Sequence, residues 1–237
     1  TEKESSCGER SLFDQVLESD NLRRAWKQVK RNKGKPGIDG VSIEDFPSLA
    51  RMHWESILAK LKAGTYQPSP VKRVYVPKPD GTERALGIPI VLDRVIQQAI
   101  AQVLTPLYEP TFSDSSHGFR PGHSAHDAVK EWQQKANLRG KKCHVVDCDL
   151  KSFFDTVDHQ KLMSRLRERI TDQRLLRLIA KYLKAGLVLP ERDGGGYEDT
   201  EEGVPQGGPL SPLLANILLD ELDRELEARG HSFVRYA

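Results

Sequence analysis

Cysteine is scarce in this sequence, and long apolar runs are absent. The three cysteines, Cys7, Cys143 and Cys148, stand at unrelated spacings in 237 residues, which predicts neither a disulfide framework nor a zinc site. No stretch approaches the roughly 20 apolar residues that a membrane-spanning helix requires. The opening TEKESSCGER lacks the apolar core of a secretory signal. These absences favour a reducing intracellular setting, so we expect a cytoplasmic protein without a membrane partner.

Length, composition and net charge are those of an ordinary globular protein. Hydrophobic residues make up 38% and charged residues 30% of the chain, enough to bury a core in one large domain or two small ones. The net charge of +2 gives no indication of a nucleic-acid partner by itself. We find no internal repeat and no low-complexity tract.

The positive charge is unevenly distributed. One acid-free segment near the N-terminus holds seven basic residues, which are Arg23, Arg24, Lys27, Lys30, Arg31, Lys33 and Lys35. Acidic residues collect late, between 191 and 202 and between 220 and 227. A one-sided basic surface fits a phosphate backbone, and a solvated helix face is the alternative that charge alone leaves open.

The spacing of apolar residues predicts a mostly helical chain with a few short strands. Helices are expected over 11–31 (in two pieces), 42–64, 92–108, 125–138, 160–185 and 210–229. Strands are expected over 71–77, 82–88 and 144–150, with a hairpin over 187–208 whose tip is 193–196, and with a last strand beginning in 231–237. The fold class is therefore α/β (α+β), mostly helical with antiparallel hairpins.

Two acidic residues share one face of the expected strand HVVDCDL at 144–150. Asp147 and Asp149 alternate with Cys148, so their side chains point the same way. A carboxylate at a strand end, beside Phe153 and Phe154, is suited to hold a divalent cation, since Mg²⁺ prefers hard oxygen ligands. A strand aspartate that only forms a hydrogen bond or a cap is the alternative.

A glycine- and proline-rich stretch, EGVPQGGPLSP at 202–212, lies between an expected strand and an expected helix. Its paired glycines permit close backbone approach to a ligand, and Gln206 offers both a donor and an acceptor. A loop that simply starts a helix explains the same composition.

Six motifs follow one another in a fixed order. They are KPGIDG at 35–40, VPKPDGTERALGIP at 76–89, DRVIQQAI at 93–100, HGFRPGHSAHDAV at 117–129, VVDCDLKSFFD at 145–155 and GVPQGGPLSPLLAN at 203–216. The series resembles group II intron reverse transcriptases over roughly residues 20 to 237, including the N-terminal extension of that family. One departure is Ala85, where the family usually has proline.

The resemblance implies a right-hand polymerase architecture. Residues 1–140 would form the fingers with the N-terminal extension, and 141–237 a partial palm with a fingers insertion at 160–209. In the family, the segment that matches 233–237 continues into two catalytic aspartates, so we expect a truncated and catalytically inactive fragment of an active enzyme. An exposed strand at 231–237 would invite strand addition and hence a homodimer.

The implied activity is that of an RNA-directed DNA polymerase, which needs an RNA template, a DNA primer, deoxynucleoside triphosphates and Mg²⁺. Such proteins also bind their intron RNA as maturases. The resemblance makes Asp149 the first catalytic metal ligand, helped by the Leu150 carbonyl, and Phe154 the steric gate against a ribose 2′-hydroxyl.

Further roles follow from matching motif positions. The residues that would contact the nucleotide are Lys78 and Arg84 on its triphosphate, with Gln206 and Gly207. The seven basic residues of 23–35, with His117 and Arg120, would lie along the template or primer.

Two other functions stay open at this point. An RNA-binding splicing cofactor could use the basic segment without any polymerase activity. An RNA-dependent RNA polymerase shares the palm, but Phe154 argues against it. His123 and His126 lack a third ligand, so we expect them to face solvent, and Asp147 stays a candidate for supporting the metal ligand.

Overall fold

The computed structural model describes residues 10–79, 81–137 and 144–236. Within them the chain forms eight α-helices and four β-strands. The helices are α1 (Leu12–Val16), α2 (Ser19–Arg31), α3 (Phe46–Lys62), α4 (Val91–Tyr108), α5 (Ala125–Asn137), α6 (His159–Arg167), α7 (Gln173–Leu183) and α8 (Ser211–Ala228). The strands are β1 (Val71–Pro77), β2 (Glu83–Ile88), β3 (Leu187–Val188) and β4 (Tyr197–Glu198).

Helix α4 is the centre of the core. It is apolar around most of its circumference and packs against α1, α2 and α8. Its neighbour α2 turns one apolar side inward through Leu22, Ala25 and Val29, whose spacing of three and four residues is that of a helical stripe. Burial of each large aliphatic side chain contributes about 1.5–3 kcal/mol, so this helix pair anchors the N-terminal half.

The four strands form one mixed sheet in the order β2-β1-β3-β4. The hairpins β1–β2 and β3–β4 are antiparallel, and β3 runs parallel to β1. The expected fold class is confirmed, and the expected hairpin tip at 193–196 lies between β3 and β4. The parallel junction was not expected, because nothing in the local sequence of either hairpin indicates which strand it will join.

The prediction of one helix over 160–185 is wrong. The chain breaks after α6, and Asp172 begins α7 by accepting hydrogen bonds from the backbone N–H groups of Arg174 and Leu175. The same carboxylate accepts the backbone N–H of Phe13 at 3.0 Å, which ties the new helix start to α1. A side chain that satisfies several free N–H groups favours a helix start over helix continuation.

Two expected strands are not formed. Residues 144–150 are exposed and belong to no ladder of the described sheet, since a strand exists only beside a partner. Residues 231–236 make a single parallel bridge, between Arg235 and Ser116. The expected strand edge for a homodimer is therefore absent from the described residues. Cys7 and Cys143 lie outside the described residues, whereas Cys148 is a free, exposed thiol.

In the described part of the chain, no helix has both the length and the apolar character needed to cross a membrane.

Asp93, at the start of α4, is a buried carboxylate that joins three parts of the core. It accepts hydrogen bonds from the hydroxyls of Tyr66 (2.7 Å) and Tyr182 (3.0 Å) and from the backbone N–H of Ser69 (2.9 Å). Burial raises the pKa of Asp93 to about 6, against the opposing effect of these three donors. The connection between α3 and β1 is thereby fixed to both α4 and α7.

We expect the stability of the protein to depend on the protonation of Asp93. Between the ordinary pKa of 3.8 and the raised pKa of about 6, the folded state holds a proton that the unfolded state has lost. The free energy of unfolding therefore falls as pH rises through this window. Relative to Asp93→Asn, the wild type should lose on the order of 2–3 kcal/mol between about pH 4 and about pH 7.

Urea unfolding of both proteins at several pH values measures this difference. The exposed control Asp20→Asn should leave the pH dependence of the wild type in place. A constant difference between wild type and Asp93→Asn across the pH range would contradict the role of the buried carboxyl.

Candidate active site

A loop over residues 202–208, here called the glycine loop, connects the expected site elements. On one side, Val204 N–H donates to the Phe154 carbonyl at 2.6 Å and Gly203 N–H donates to the Val157 carbonyl at 2.8 Å. On the other side, Gly87 N–H of β2 donates to the Gln206 carbonyl at 2.6 Å. The loop therefore holds the segment after Asp149 and the β1–β2 hairpin in one arrangement.

Glycine is required in this loop because neighbouring backbone lies directly against it. A Cβ atom added at Gly207 would overlap the Gly87 carbonyl oxygen, and the φ of +121° at Gly207 is itself unfavourable for other residues. A Cβ atom at Gly203 would lie 2.9 Å from the Asp155 carbonyl oxygen. The two glycines therefore permit close contact with other backbone of the protein, whereas the sequence predicted close contact with a nucleotide or template. Gly207 is nevertheless exposed on its other side.

The expected metal ligand Asp149 lies in an exposed stretch outside the helices and strands. The neighbouring Leu150 is 52% exposed, and its carbonyl accepts the backbone N–H of Phe153 at 3.3 Å, which leaves a second lone pair. An exposed carboxylate and a carbonyl with one unused lone pair fit part of the oxygen shell of Mg²⁺. Among the described residues, no three His, Cys, Asp or Glu side chains converge on a common point.

The expected gate, Phe154, is half-buried in a row of three aromatic rings. Its ring lies edge-on to Phe153 at a centroid distance of 5.8 Å and edge-on to Phe119 at 6.5 Å. Phe153 packs against the main core. The row therefore runs from the core to the surface, with Phe154 in the middle.

The expected triphosphate ligands lie at the outer end of the β1–β2 hairpin. Arg84 pairs with Val76 across the ladder, and Lys78 N–H donates to the Thr82 carbonyl at 2.7 Å, which closes the turn. Both side chains are exposed, as a role in binding an anion requires.

A cross-brace that the sequence did not predict fixes this hairpin to the tip of the other. Arg192 lies 3.8 Å above the Tyr75 ring and makes two hydrogen bonds to Glu83, of 3.0 and 2.6 Å. The hydrogen bonds from Arg192 lower the pKa of Glu83. Tyr75 in turn donates to Asp193 at 2.5 Å. No local pattern links residues so far apart in sequence.

The seven basic residues of 23–35 are all exposed. Because α2 turns its apolar side toward α4, its basic residues lie on the outer side, continued by the loop after Arg31. This loop is attached to α4, since the Arg94 guanidinium donates to the Lys35 carbonyl at 2.8 Å. This contact uses the backbone carbonyl of Lys35, and Lys35 itself is exposed.

The other two expected template ligands have internal partners. His117 is buried, with Nε2 at 2.5 Å from Glu131 Oε2 and Nδ1 at 3.2 Å from His123 Nδ1. The Arg120 side chain is 5% exposed and donates to Glu109 and to two backbone carbonyls. A template contact by either residue stays a prediction, and here both fix their own loop. His126 is exposed as expected, whereas His123 packs on His117.

A second feature missed by the sequence reasoning is a buried ion pair beneath this loop. Arg235 donates three hydrogen bonds to Asp223, of 2.7 to 3.1 Å, and one to Asn216 at 2.9 Å. Asn216 in turn donates to the Gly118 carbonyl at 2.9 Å. The available signal is that Asn216 and Asp223 are polar residues seven apart on the apolar side of α8.

Replacement of Gly207 by alanine should destabilise the protein more than the same replacement at a glycine that has a positive φ and open space around it. Gly122 has φ +76° with open space around it, so Gly122→Ala costs only the backbone strain, about 1–2 kcal/mol. Gly207→Ala adds a collision with the Gly87 carbonyl, which we expect to cost about 1–3 kcal/mol more. Denaturant unfolding measures both variants. Equal losses would show that the contact with β2 yields without cost.

Comparison with known proteins gives consistent matches. Residues 76–237 match the family model for reverse transcriptase (RNA-dependent DNA polymerase). Protein YkfC of Escherichia coli (strain K12) is 40% identical over 224 residues, which are 92% of this chain and 57% of that protein. Group II intron-encoded protein LtrA of Lactococcus lactis subsp. cremoris is 38% identical over 214 residues, 90% of this chain and 34% of that protein.

A solved structure agrees with these matches. A chain of the "Partial Cas6-RT-Cas1--Cas2 complex" superposes with a TM-score of 0.61 at 27% identity, over 96% of this chain and 37% of that chain. The chain spans between about a third and somewhat more than half of the length of the curated relatives named above.

Proposed function

We propose, from the premise that this chain belongs to the reverse transcriptase family, that the protein to which it contributes is an RNA-directed DNA polymerase of group II intron type. The observation that carries the proposal is that the glycine loop joins the Phe154–Val157 turn, which follows Asp149 in the sequence, to the β1–β2 hairpin, within the stretch that matches the family model. Its substrates would be an RNA template, a DNA primer and deoxynucleoside triphosphates.

The metal site belongs to this proposal. Reverse transcriptases generally use divalent metal ions, and we propose Mg²⁺ held by the Asp149 carboxylate and the Leu150 carbonyl. When bound, Mg²⁺ supplies positive charge that lowers the barrier to in-line attack on a phosphate. The remaining oxygen ligands would come from outside the described residues, from water and from the triphosphate.

The other residues bind and select the nucleotide. Lys78 and Arg84 would hold the triphosphate by charge-assisted hydrogen bonds at the end of the braced hairpin. Phe154 would exclude a ribose 2′-hydroxyl by contact with its ring. Gln206 and Gly207 would contact the incoming nucleotide from the exposed side of the glycine loop.

In the full-length protein, Asp149→Asn should reduce primer extension on an RNA template by at least about a hundredfold, because the ligand loses its charge. Its neighbour Asp147→Asn is the matched control, and it should retain most activity if Asp147 only supports the site. Primer extension with deoxynucleotides in Mg²⁺ measures both. Full activity of Asp149→Asn, or no DNA synthesis by the wild type, would contradict the proposed chemistry.

We also propose that the basic segment 23–35 binds nucleic acid, as template–primer during synthesis and as intron RNA in a maturase role. The support is that seven basic side chains are exposed on α2 and the loop that follows it. Arg23 has one acidic partner, Asp20, at 3.2 Å in an exposed pair that contributes little. Exposed, weakly paired cations are suited to displace counterions from a phosphate backbone.

We further propose a cytoplasmic location for the protein.

Reversal of charge at Lys30 and Arg31 should weaken binding to an RNA template–DNA primer duplex. The slope of log K for association against log salt concentration is negative, and removal of one cation that neutralises a phosphate reduces its magnitude by about 0.7–0.9. The two introduced glutamates also repel the phosphates. Fluorescence anisotropy across a salt series measures this for Lys30→Glu/Arg31→Glu. The control Lys60→Glu/Lys62→Glu makes the same charge change at the end of α3. Similar affinity losses in both variants would remove the assignment to 23–35.

A further inference from the structure

Phe119 is an exposed aromatic residue in an unfavourable backbone conformation. Phe119 is 55% exposed, and its φ of +58° is rare for any residue other than glycine. A bulky residue kept in this backbone region costs free energy. Such a residue points to a role outside the stability of the loop itself.

The loop around Phe119 is fixed on both sides. Before it, the Gly118 carbonyl accepts from Asn216, which is 1% exposed, and His117 N–H donates to the Arg235 carbonyl at 2.9 Å. After it, the guanidinium of Arg120 donates to Glu109 and to the carbonyls of the same loop. Because its two neighbours are held by buried polar groups, Phe119 has little freedom to turn inward.

The ring of Phe119 has a defined neighbour. It lies edge-on to Phe154, with centroids 6.5 Å apart and ring planes at 78°. Phe154 lies edge-on to Phe153 in the same way, at 5.8 Å and 75°. Edge-to-face pairs at these distances attract each other through the ring quadrupole. The ring of Phe154 is therefore held between one ring attached to the core and one ring attached to the 117–120 loop.

We propose that Phe119 is a positioning residue that restricts the ring of Phe154 and so sets how strictly the protein selects deoxyribose over ribose. The inference rests on the proposed function of Phe154 as the gate. A gate ring excludes a 2′-hydroxyl only if it cannot swing aside when the hydroxyl enters. Phe153 supports the ring from the core side, and Phe119 blocks movement toward the solvent side. The buried clamp of Asn216 and Arg120 makes that support rigid.

The test measures, in the full-length protein, kcat/KM for a deoxynucleotide and for the matching ribonucleotide in single-nucleotide primer extension. Phe119→Ala and Phe119→Gly both remove the ring, but only glycine relieves the positive φ. We expect each to lower the deoxy-to-ribo ratio by about threefold to tenfold, the range that an aromatic pair allows. The deoxynucleotide kcat/KM should change little, and Phe119→Tyr should retain the wild-type ratio.

Phe154→Ala completes the comparison. It should lower the ratio further than Phe119→Ala does, and the double variant should match Phe154→Ala alone, since Phe119 acts through the gate ring. These outcomes together support the proposal.

An unchanged deoxy-to-ribo ratio in Phe119→Ala and Phe119→Gly would overturn the proposal. Three further results would also overturn it. The first is an equal loss for both sugars, or a loss of template–primer affinity, which would make Phe119 a nucleic-acid contact. The second is a different ratio for the alanine and glycine variants, which would locate the effect in the backbone. The third is an unchanged ratio in Phe154→Ala, which would show that Phe154 is not the gate. In that case, DNA synthesis by the wild type would still support the polymerase assignment. No synthesis by the wild type would instead defeat the polymerase assignment itself.

Discussion

The arrangement of the site depends on how closely three stretches of backbone approach one another. The glycine loop is hydrogen-bonded to the Phe154–Val157 turn on one side and to Gly87 of β2 on the other. Side chains at Gly203 and Gly207 would separate these stretches, because each position lies directly against a carbonyl oxygen. Steric exclusion, rather than any single strong bond, thus decides where the hairpin with Lys78 and Arg84 lies relative to Phe154.

Two kinds of support surround this contact. Toward the N-terminal half the support is apolar, through α4 and its packing against α1, α2 and α8. Toward the C-terminal half it is polar, through Asp223, Arg235 and Asn216, which are held together by charge-assisted hydrogen bonds. An apolar interface tolerates small shifts, whereas a buried ion pair loses much of its energy when its geometry changes. The elements nearest to Phe119 are therefore held by polar contacts whose energy depends on geometry.

The sequence predicted elements whose causes are local. The alternation in VKRVYVP was sufficient for β1, and the apolar stripe of α2 was sufficient for its inner side. The sequence-based predictions failed where an element depends on contacts with residues distant in the sequence. The periodicity of 160–185 continues through a break that Asp172 makes, and residues 144–150 have strand composition without a partner strand in the described sheet. Among the candidate site residues, motif positions indicated Phe154 and Gln206, whose roles stay predictions. Motif positions did not indicate Asp223 and Arg235, because the role of a polar residue at a core position can be predicted only when its partner is known.

The link between Arg235 and the 117–120 loop also has a consequence for the order of assembly. A ribosome releases the chain from the N-terminus, so α1 to α4 can pack while the rest is still being made. The loop that carries Phe119 emerges early, but Asn216 and Arg235, which fix it, emerge much later. During that interval the Gly118 carbonyl and the His117 N–H lack their later protein partners. The loop that carries Phe119 therefore takes its final form only after α8 and Arg235 have left the exit tunnel.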